Sequence, residues 1–222
     1  MEKLKNKIGN PESISQKEEI ELEKDVKLFQ ELFQELKDNK KLTKPTNRNF
    51  IELINFIDEQ GKIHNFIFDE IILNKEKGDR FMSEIKKFGF EEKYFTKIIL
   101  LNMIQLFNSN TEALKTGICS ILALDDKKIT LGCLIKKILT KKDFASKSIK
   151  KLNNKIDLEL RNGFAHNLFW NVGPKIFYCK DIELKNPKEL KLEELIIKFK
   201  NTNILFQSFL LVLSGRSGKK YF

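Results

Sequence analysis

The stretch DFASKSIKKLNNKIDLELRNGFAH, Asp143 to His166, carries apolar side chains at Ile149, Leu152, Ile156, Leu160 and Phe164. Steps of three and four residues bring these positions onto one face of a 3.6-residue helix, whereas a strand would scatter them over both faces. The stretch therefore predicts an amphipathic helix starting near Asp143. Its end carries Arg161-Asn162-Gly163-Phe164-Ala165-His166.

The same period extends outward in both directions. Upstream, Phe95, Ile98, Ile99, Met103 and Leu106, then Leu114, Ile118, Ile121 and Leu122, predict one long helix over Glu91–Leu124, or two joined near Asn108-Ser109-Asn110. Asp125–Lys128 predicts a charged turn, and Thr130 can cap a helix carrying Leu131, Leu134, Ile135, Ile138 and Leu139. Gly78 and Asp79 open a short helix to Lys87, and Gly89 ends it. Phe50, Leu53, Ile54 and Ile57 predict a helix over Asn47–Ile57, while Ile63–Leu73 fits neither helical nor strand period.

Nearer the start, Leu22, Val26, Phe29, Phe33 and Leu36 repeat at four, three, four and three residues within a helix spanning Glu18–Lys40. Two heptads are short for a coiled coil, so its partner is expected inside the same chain. Lys37–Lys44, ended by Pro45, is the candidate linker. Beyond the motif, Phe169–Tyr178 contains Asn171-Val172-Gly173-Pro174 between aromatic and β-branched residues and predicts a small β-hairpin, although Pro174 sits poorly in one. Glu189–Leu213 predicts a last helix and Ser214–Lys220 a flexible basic tail. The expected architecture is all-α, a helical bundle in which an N-terminal amphipathic helix and linker (1–45) precede the main domain (46–213) and the tail (214–222).

Composition narrows the function classes. The 222 residues are 41% hydrophobic and 32% charged, enough to build a core and solvate a surface. A net charge of +10 favours a polyanionic partner through counterion release. Most of the positive charge is lysine, with arginine only at Arg48, Arg80, Arg161 and Arg216. Cys119, Cys133 and Cys179 are too few and too scattered for a disulfide framework or a metal knuckle, and read as thiols of a reducing compartment. Met1–Gln16 lacks the apolar stretch of a signal peptide. Ile204–Leu213 is about half the ~20 residues a membrane span needs, so a cytoplasmic protein with no membrane partner is expected.

The chemistry concentrates in Arg161–His166. Cleaving RNA without a metal requires a base for the 2′-hydroxyl proton, an acid for the leaving 5′-oxygen and a cation for the charge growing on phosphorus. Histidine suits the proton transfers because both its forms coexist near neutrality. Arginine suits the phosphate because its planar, permanently charged fork binds two oxygens at once. Residues five apart on an unbroken helix differ by about 140° in direction, so Arg161 and His166 share a face only if the helix bends or ends between them. Gly163 eases such a break, and Asn162 is placed to fix the backbone there or to orient the histidine.

Leu160-Arg161-Asn162-x-x-Ala165-His166 at the end of an amphipathic helix resembles the R-x4-6-H signature of the HEPN superfamily, in which an RN…AH form is common. The resemblance in motif covers about ten residues, and the helical pattern over Glu91–Leu213 agrees with that family's bundle. It implies a homodimer that joins two copies of the motif in one cleft and cuts RNA to 2′,3′-cyclic phosphate and 5′-hydroxyl ends, with Arg161, Asn162 and His166 as catalytic residues. No cofactor or metal is implied. Many relatives are toxins of toxin–antitoxin modules or antiviral effectors, which adds an antitoxin or regulatory protein to the expected partners. Others are non-catalytic binding modules, so a helical protein- or RNA-interaction module is the alternative, with the Leu22–Leu36 helix as its docking surface.

Other candidates are weaker. His64 lies in the apolar segment that fits neither period and reads as structural or surface. Asp157 and Glu159, two apart on a helix, point different ways and do not make a carboxylate pair. Ser214–Lys219 resembles a phosphate loop but lacks the following Ser/Thr. Tyr94 and Trp170 could stack nucleobases, although aromatic residues in so Phe-rich a chain belong more often to the core.

Overall fold

The computed structural model describes residues 16–44, 52, 54–55, 57–59, 62, 74–89, 91–125, 127, 129–140, 147–172, 175–179, 183 and 185–221. Among these, helices α1 (Gln16–Asp38), α2 (Lys75–Lys87), α3 (Glu92–Ile121), α4 (Leu131–Thr140), α5 (Lys147–Lys155) and α6 (Leu158–Ala165) precede strands β1 (Phe169–Val172), β2 (Lys175–Tyr178) and β3 (Lys188–Lys191) and the last helix, α7 (Leu192–Leu213). The described residues are mostly helical with one small antiparallel sheet, in keeping with the helical chain and small hairpin expected, and a third strand is the addition. The helix expected over Asn47–Ile57 lies largely outside the described residues and Ile63–Leu73 wholly so, although Ile57 is buried and Ile54 packs beside it.

Two apolar clusters divide the interior. In the first, Leu22, Val26, Phe29, Phe33 and Leu36 of α1 pack with Leu205, Phe209 and Val212 of α7, Leu114 and Ile118 of α3, and Leu131 and Leu134 of α4. Phe29 and Phe33 are fully buried and meet Phe209 edge-on at centroid distances of 5.3 and 6.0 Å. Burying each such ring contributes about 1.5–3 kcal/mol. Between α1 and α7 stands the buried Ser208, whose hydroxyl donates to Ile204 O at 2.8 Å and lies 3.4 Å from Leu22 O. The heptad face of α1 thus finds its partner within the chain.

The second cluster unites Leu100, Met103, Ile104 and Phe107 of α3, Leu160 and Phe164 of α6, Ile176, Tyr178 and Leu190 of the sheet, and Leu195 and Phe199 of α7. It is this cluster that holds the motif helix. α3 runs unbroken through Asn108-Ser109-Asn110; the Thr111 hydroxyl returns to Asn108 O at 2.9 Å, and Asn110 and Thr111 are buried. Packing overrides the weak helix propensity there.

The helix expected from Asp143 to Phe164 is instead two, and residues 141–146 lie outside the described set. Asp157 caps α6 by accepting a hydrogen bond from Leu160 N at 3.0 Å, which ends α5. The apolar period survives the break but changes its target: Leu152 and Ile156 enter the first cluster, Leu160 and Phe164 the second. Of two other starts, one moves and one stands. α2 begins at Lys75 with Asn74 as its cap, not at Gly78, and Cys133 N donates to Thr130 Oγ1 at the start of α4, as the sequence predicts.

The hairpin expected over Phe169–Tyr178 is present, with Trp170 opposite Phe177 and Val172 opposite Lys175. A third strand extends it where the sequence predicts helix: Lys188–Lys191 pairs with β2, and Leu190 faces inward opposite Ile176. Glu189-Leu190-Lys191-Leu192 suits either period, and the offer of a paired strand over a buried leucine decides it. α7 therefore starts at Leu192, with the Glu194 carboxylate accepting from Lys191 N at 2.9 Å.

The lysine-rich linker candidate is tied to α3, Thr43 N donating to Ile121 O at 2.8 Å. Residues 214–221, expected to be a flexible tail, return to α1: Gln30 Nε2 lies 3.3 Å from Ser217 O, and the Tyr221 hydroxyl donates to Gln30 O at 3.1 Å. No helix among the described residues is long and apolar enough to cross a membrane.

Candidate functional site

α6 lies between α3 and the sheet, and its close fit requires Gly163. A Cβ there would stand 2.9 Å from Cys179 O and 3.3 Å from the Tyr178 side chain. Gly163 thus serves the approach of β2 and does not break the helix. The backbone bonds Arg161 N to Asp157 O (3.0 Å) and His166 N to Asn162 O (3.1 Å) run on without interruption.

The helix stops at His166. Asn167 takes the left-handed conformation (φ 56°), Leu168 N donates to Gly163 O at 2.7 Å and Asn167 N to Phe164 O at 3.2 Å. These are the two bonds of a Schellman stop, with asparagine in the place glycine usually fills. The expected bend between Arg161 and His166 is therefore corrected. The helix ends after both residues are placed, and they leave it in directions about 140° apart.

Arg161 is largely withdrawn from solvent, with 16% of its side chain exposed. Its Nη2 donates to the Glu112 carboxylate on α3 at 2.9 Å, and its Nη1 to Asn162 Oδ1 at 3.1 Å. Nε is buried without a partner. Glu112 also pairs with Lys115 one turn on. Asn162 therefore orients the arginine, whereas the sequence pointed to the backbone or the histidine. His166 is exposed, and among the described residues its ring has no hydrogen-bond partner. Within one chain the structure brings Arg161 and Asn162 together and leaves His166 apart from them.

Glu112 escapes sequence reasoning, since 49 residues separate it from Arg161 and nothing local marks it. His64 lies outside the described residues. Tyr94 and Trp170 are exposed, at 42% and 38%, and neither is a core aromatic.

The N-terminal end of α6, about 12 Å from His166 along the helix, borders a cavity of ≈ 430 Å³ between α1, α5 and α7. Asp157, Lys198, Asp25 and Lys155 line it, and Arg161 and His166 do not. Burial pushes the Asp157 carboxyl up, but the Lys198 ammonium at 2.8 Å, the Leu160 N–H and the charge of Lys188 outweigh it, so its pKa lies below the ordinary value. Asp25 goes the other way: burial raises its pKa and Glu21 adds to that, more than Lys155 at 2.5 Å and Lys24 restore. The two carboxylates share a cavity but differ in how many donors reach them.

No protein-family model, curated protein or solved structure matches the chain. The class that fold and site define is a mostly helical protein with a three-stranded antiparallel sheet packed against a short helix, from whose end an exposed histidine projects.

Proposed function

We propose that the chain is a metal-independent endoribonuclease of the HEPN type that works as a cytoplasmic homodimer. The observation that carries the reading is the contrast within one short helix: a partly buried Arg161 held by Glu112 and Asn162, and five residues on an exposed, unpartnered His166 at the helix terminus. His166 is exposed and no described residue bonds its ring, so the imidazole is open to a substrate.

In the reaction, one histidine takes the proton from a ribose 2′-hydroxyl. The 2′-oxygen attacks phosphorus, and the bond from phosphorus to the 5′-oxygen breaks. A second histidine gives that oxygen its proton, leaving a 2′,3′-cyclic phosphate and a 5′-hydroxyl. Each protomer has one motif histidine, so two proton transfers call for two protomers. Pairing across a dimer also removes the need for Arg161 and His166 to share a face within one chain. Two of the five N–H donors of Arg161 engage Glu112 and Asn162 and the Nε–H is buried, which leaves the two remaining Nη–H donors for phosphate oxygens. The net charge of +10 supports an RNA partner, and three scattered cysteines, Cys119, Cys133 and Cys179, suit a reducing compartment. A toxin or antiviral role, with an antitoxin as partner, is the biological setting that goes with this reading.

The Arg161–Glu112 ion pair favours a second reading, a non-catalytic interaction module in which the arginine only ties α6 to α3. Its original docking surface, the Leu22–Leu36 face, is buried in the first cluster and cannot serve. One experiment separates the two. Wild-type protein and His166→Ala are incubated with labelled RNA in EDTA, and the fragment ends are identified. Cleavage by wild type alone, with cyclic-phosphate ends, is expected; equal cleavage by both sinks the nuclease reading, and none by either favours the module.

A further inference from the structure

Three residues beyond His166 the chain enters β1, the edge strand of a sheet whose inner face is filled by Ile176, Tyr178 and Leu190. Alternation sends Trp170, Val172, Lys175, Phe177, Glu189 and Lys191 to the other face, and the register aligns them in two rows: Trp170, Phe177 and Glu189 in one, Val172, Lys175 and Lys191 in the next. Trp170 and Phe177 lie nearly parallel, with ring centroids 5.7 Å apart and planes 15° from one another. Trp170 is 38% exposed and Val172 62%. An open indole stacked on a half-buried Phe177 ring beside lysines is an uncommon use of apolar surface, because the exposed ring forgoes part of its burial free energy.

We infer that this outward face is a platform for single-stranded RNA, on which a base stacks against the Trp170 ring, itself backed by Phe177, while Lys191 meets a flanking phosphate. The identity of the nucleic acid rests on the nuclease reading above; the platform itself rests on the sheet. The charge on the face decides the occupant. Lys175 is paired with Glu189 at 2.9 Å, and Lys191 adds a cation with no acidic partner among the described residues, so the aromatic pair sits beside net positive charge. A stacked base with its phosphate meets both features, and stacking tolerates any base because every base offers a π-face. A second copy of the chain would bring the same lysines against each other. Four residues separate His166 from Trp170, so their Cα atoms lie within about 14 Å of one another, a span that one RNA strand can bridge.

Trp170 is the only tryptophan in the chain, so its emission reports on this face alone. The full-length protein is titrated with a fluorescein-labelled 2′-O-methyl oligouridylate, which has no 2′-hydroxyl proton to lose and so separates binding from cleavage. Saturable quenching of Trp170 emission is expected. Anisotropy should show affinity reduced about five- to hundred-fold in Trp170→Ala and Phe177→Ala, and Lys191→Ala should lower the salt dependence by about one phosphate contact. Circular dichroism checks that each variant folds, and the quenching itself needs no variant. Absence of binding, or binding with unchanged affinity in Trp170→Ala, overturns the platform. So does a Trp170 emission that shifts with protein concentration in the absence of RNA and accompanies a dimer that Trp170→Ala dissolves, which would make the face a self-interface. Quenching by the uncleavable RNA alongside failure of wild type to cut RNA would leave the platform standing and remove the nuclease.

Discussion

The Arg161 guanidinium on α6 and the Glu112 carboxylate on α3 form a 2.9 Å ion pair that ties the two helices together. Arg161 is 16% exposed and Glu112 38%, so the pair is worth more than a surface bridge and less than a buried one. Glu112→Ala leaves a largely buried cation without its partner and should destabilise the fold by about 1–2 kcal/mol, read as a lowered urea midpoint. In a double-mutant cycle with Arg161→Ala, a coupling near zero would show that the pair does not bind α6 to α3.

His166→Ala should leave stability within about 0.5 kcal/mol of wild type, since an exposed ring with no partner among the described residues contributes little to folding. The same variant is expected to abolish cleavage. A large fall in melting temperature would instead make His166 structural.

Gly163→Ala tests the packing of β2 on α6. Alanine favours the helix by about 1 kcal/mol, but its Cβ would meet Cys179 O at 2.9 Å, a backbone atom that yields only if the strand moves. A net loss of about 1–2 kcal/mol is expected. A stabilised variant would show that the sheet shifts freely.

The two cavity carboxylates should give opposite pH signatures. Asp157 titrates below its ordinary value of 3.8 in the folded chain, so the stability it contributes is present above pH 3.8 and is lost as pH falls through the lowered pKa. Asp157→Ala should shallow that acid limb and cost about 1–2 kcal/mol at neutral pH through the lost cap. Asp25 titrates above its ordinary 3.8, so its ionisation opposes folding progressively as pH rises from there through the raised pKa. Asp25→Asn should remove that decline. Denaturation midpoints measured across pH for the three proteins check both signs, and parallel curves would refute them.

Tyr221 stacks edge-on against Phe33 at 5.4 Å and is 8% exposed. Tyr221→Ala should cost about 2–3 kcal/mol, somewhat below the range for truncating a fully buried aromatic ring. An unchanged melting temperature would mean that residues 214–221 do not rest on α1.

Local chemistry was legible in the sequence. The three-and-four spacing of α1 marks a buried face whatever its partner, Thr130 announces the start of α4, and the turn residues Asn171–Pro174 between aromatic and β-branched neighbours announce the hairpin. The motif was found from residue types alone, because an arginine and a histidine near the end of a helix carry their chemistry in their side chains. Tertiary structure decided the rest. Leu190 belongs to a strand because Ile176 lies opposite it, a preference no single segment holds. The break at Asp157 occurs where one apolar stripe must serve two different clusters. Glu112 meets Arg161, and Trp170 lies open beside Phe177, through contacts between residues distant in sequence or in separate strands. Periodicity fixes which face of an element turns inward; it carries no information on which neighbour will be waiting there.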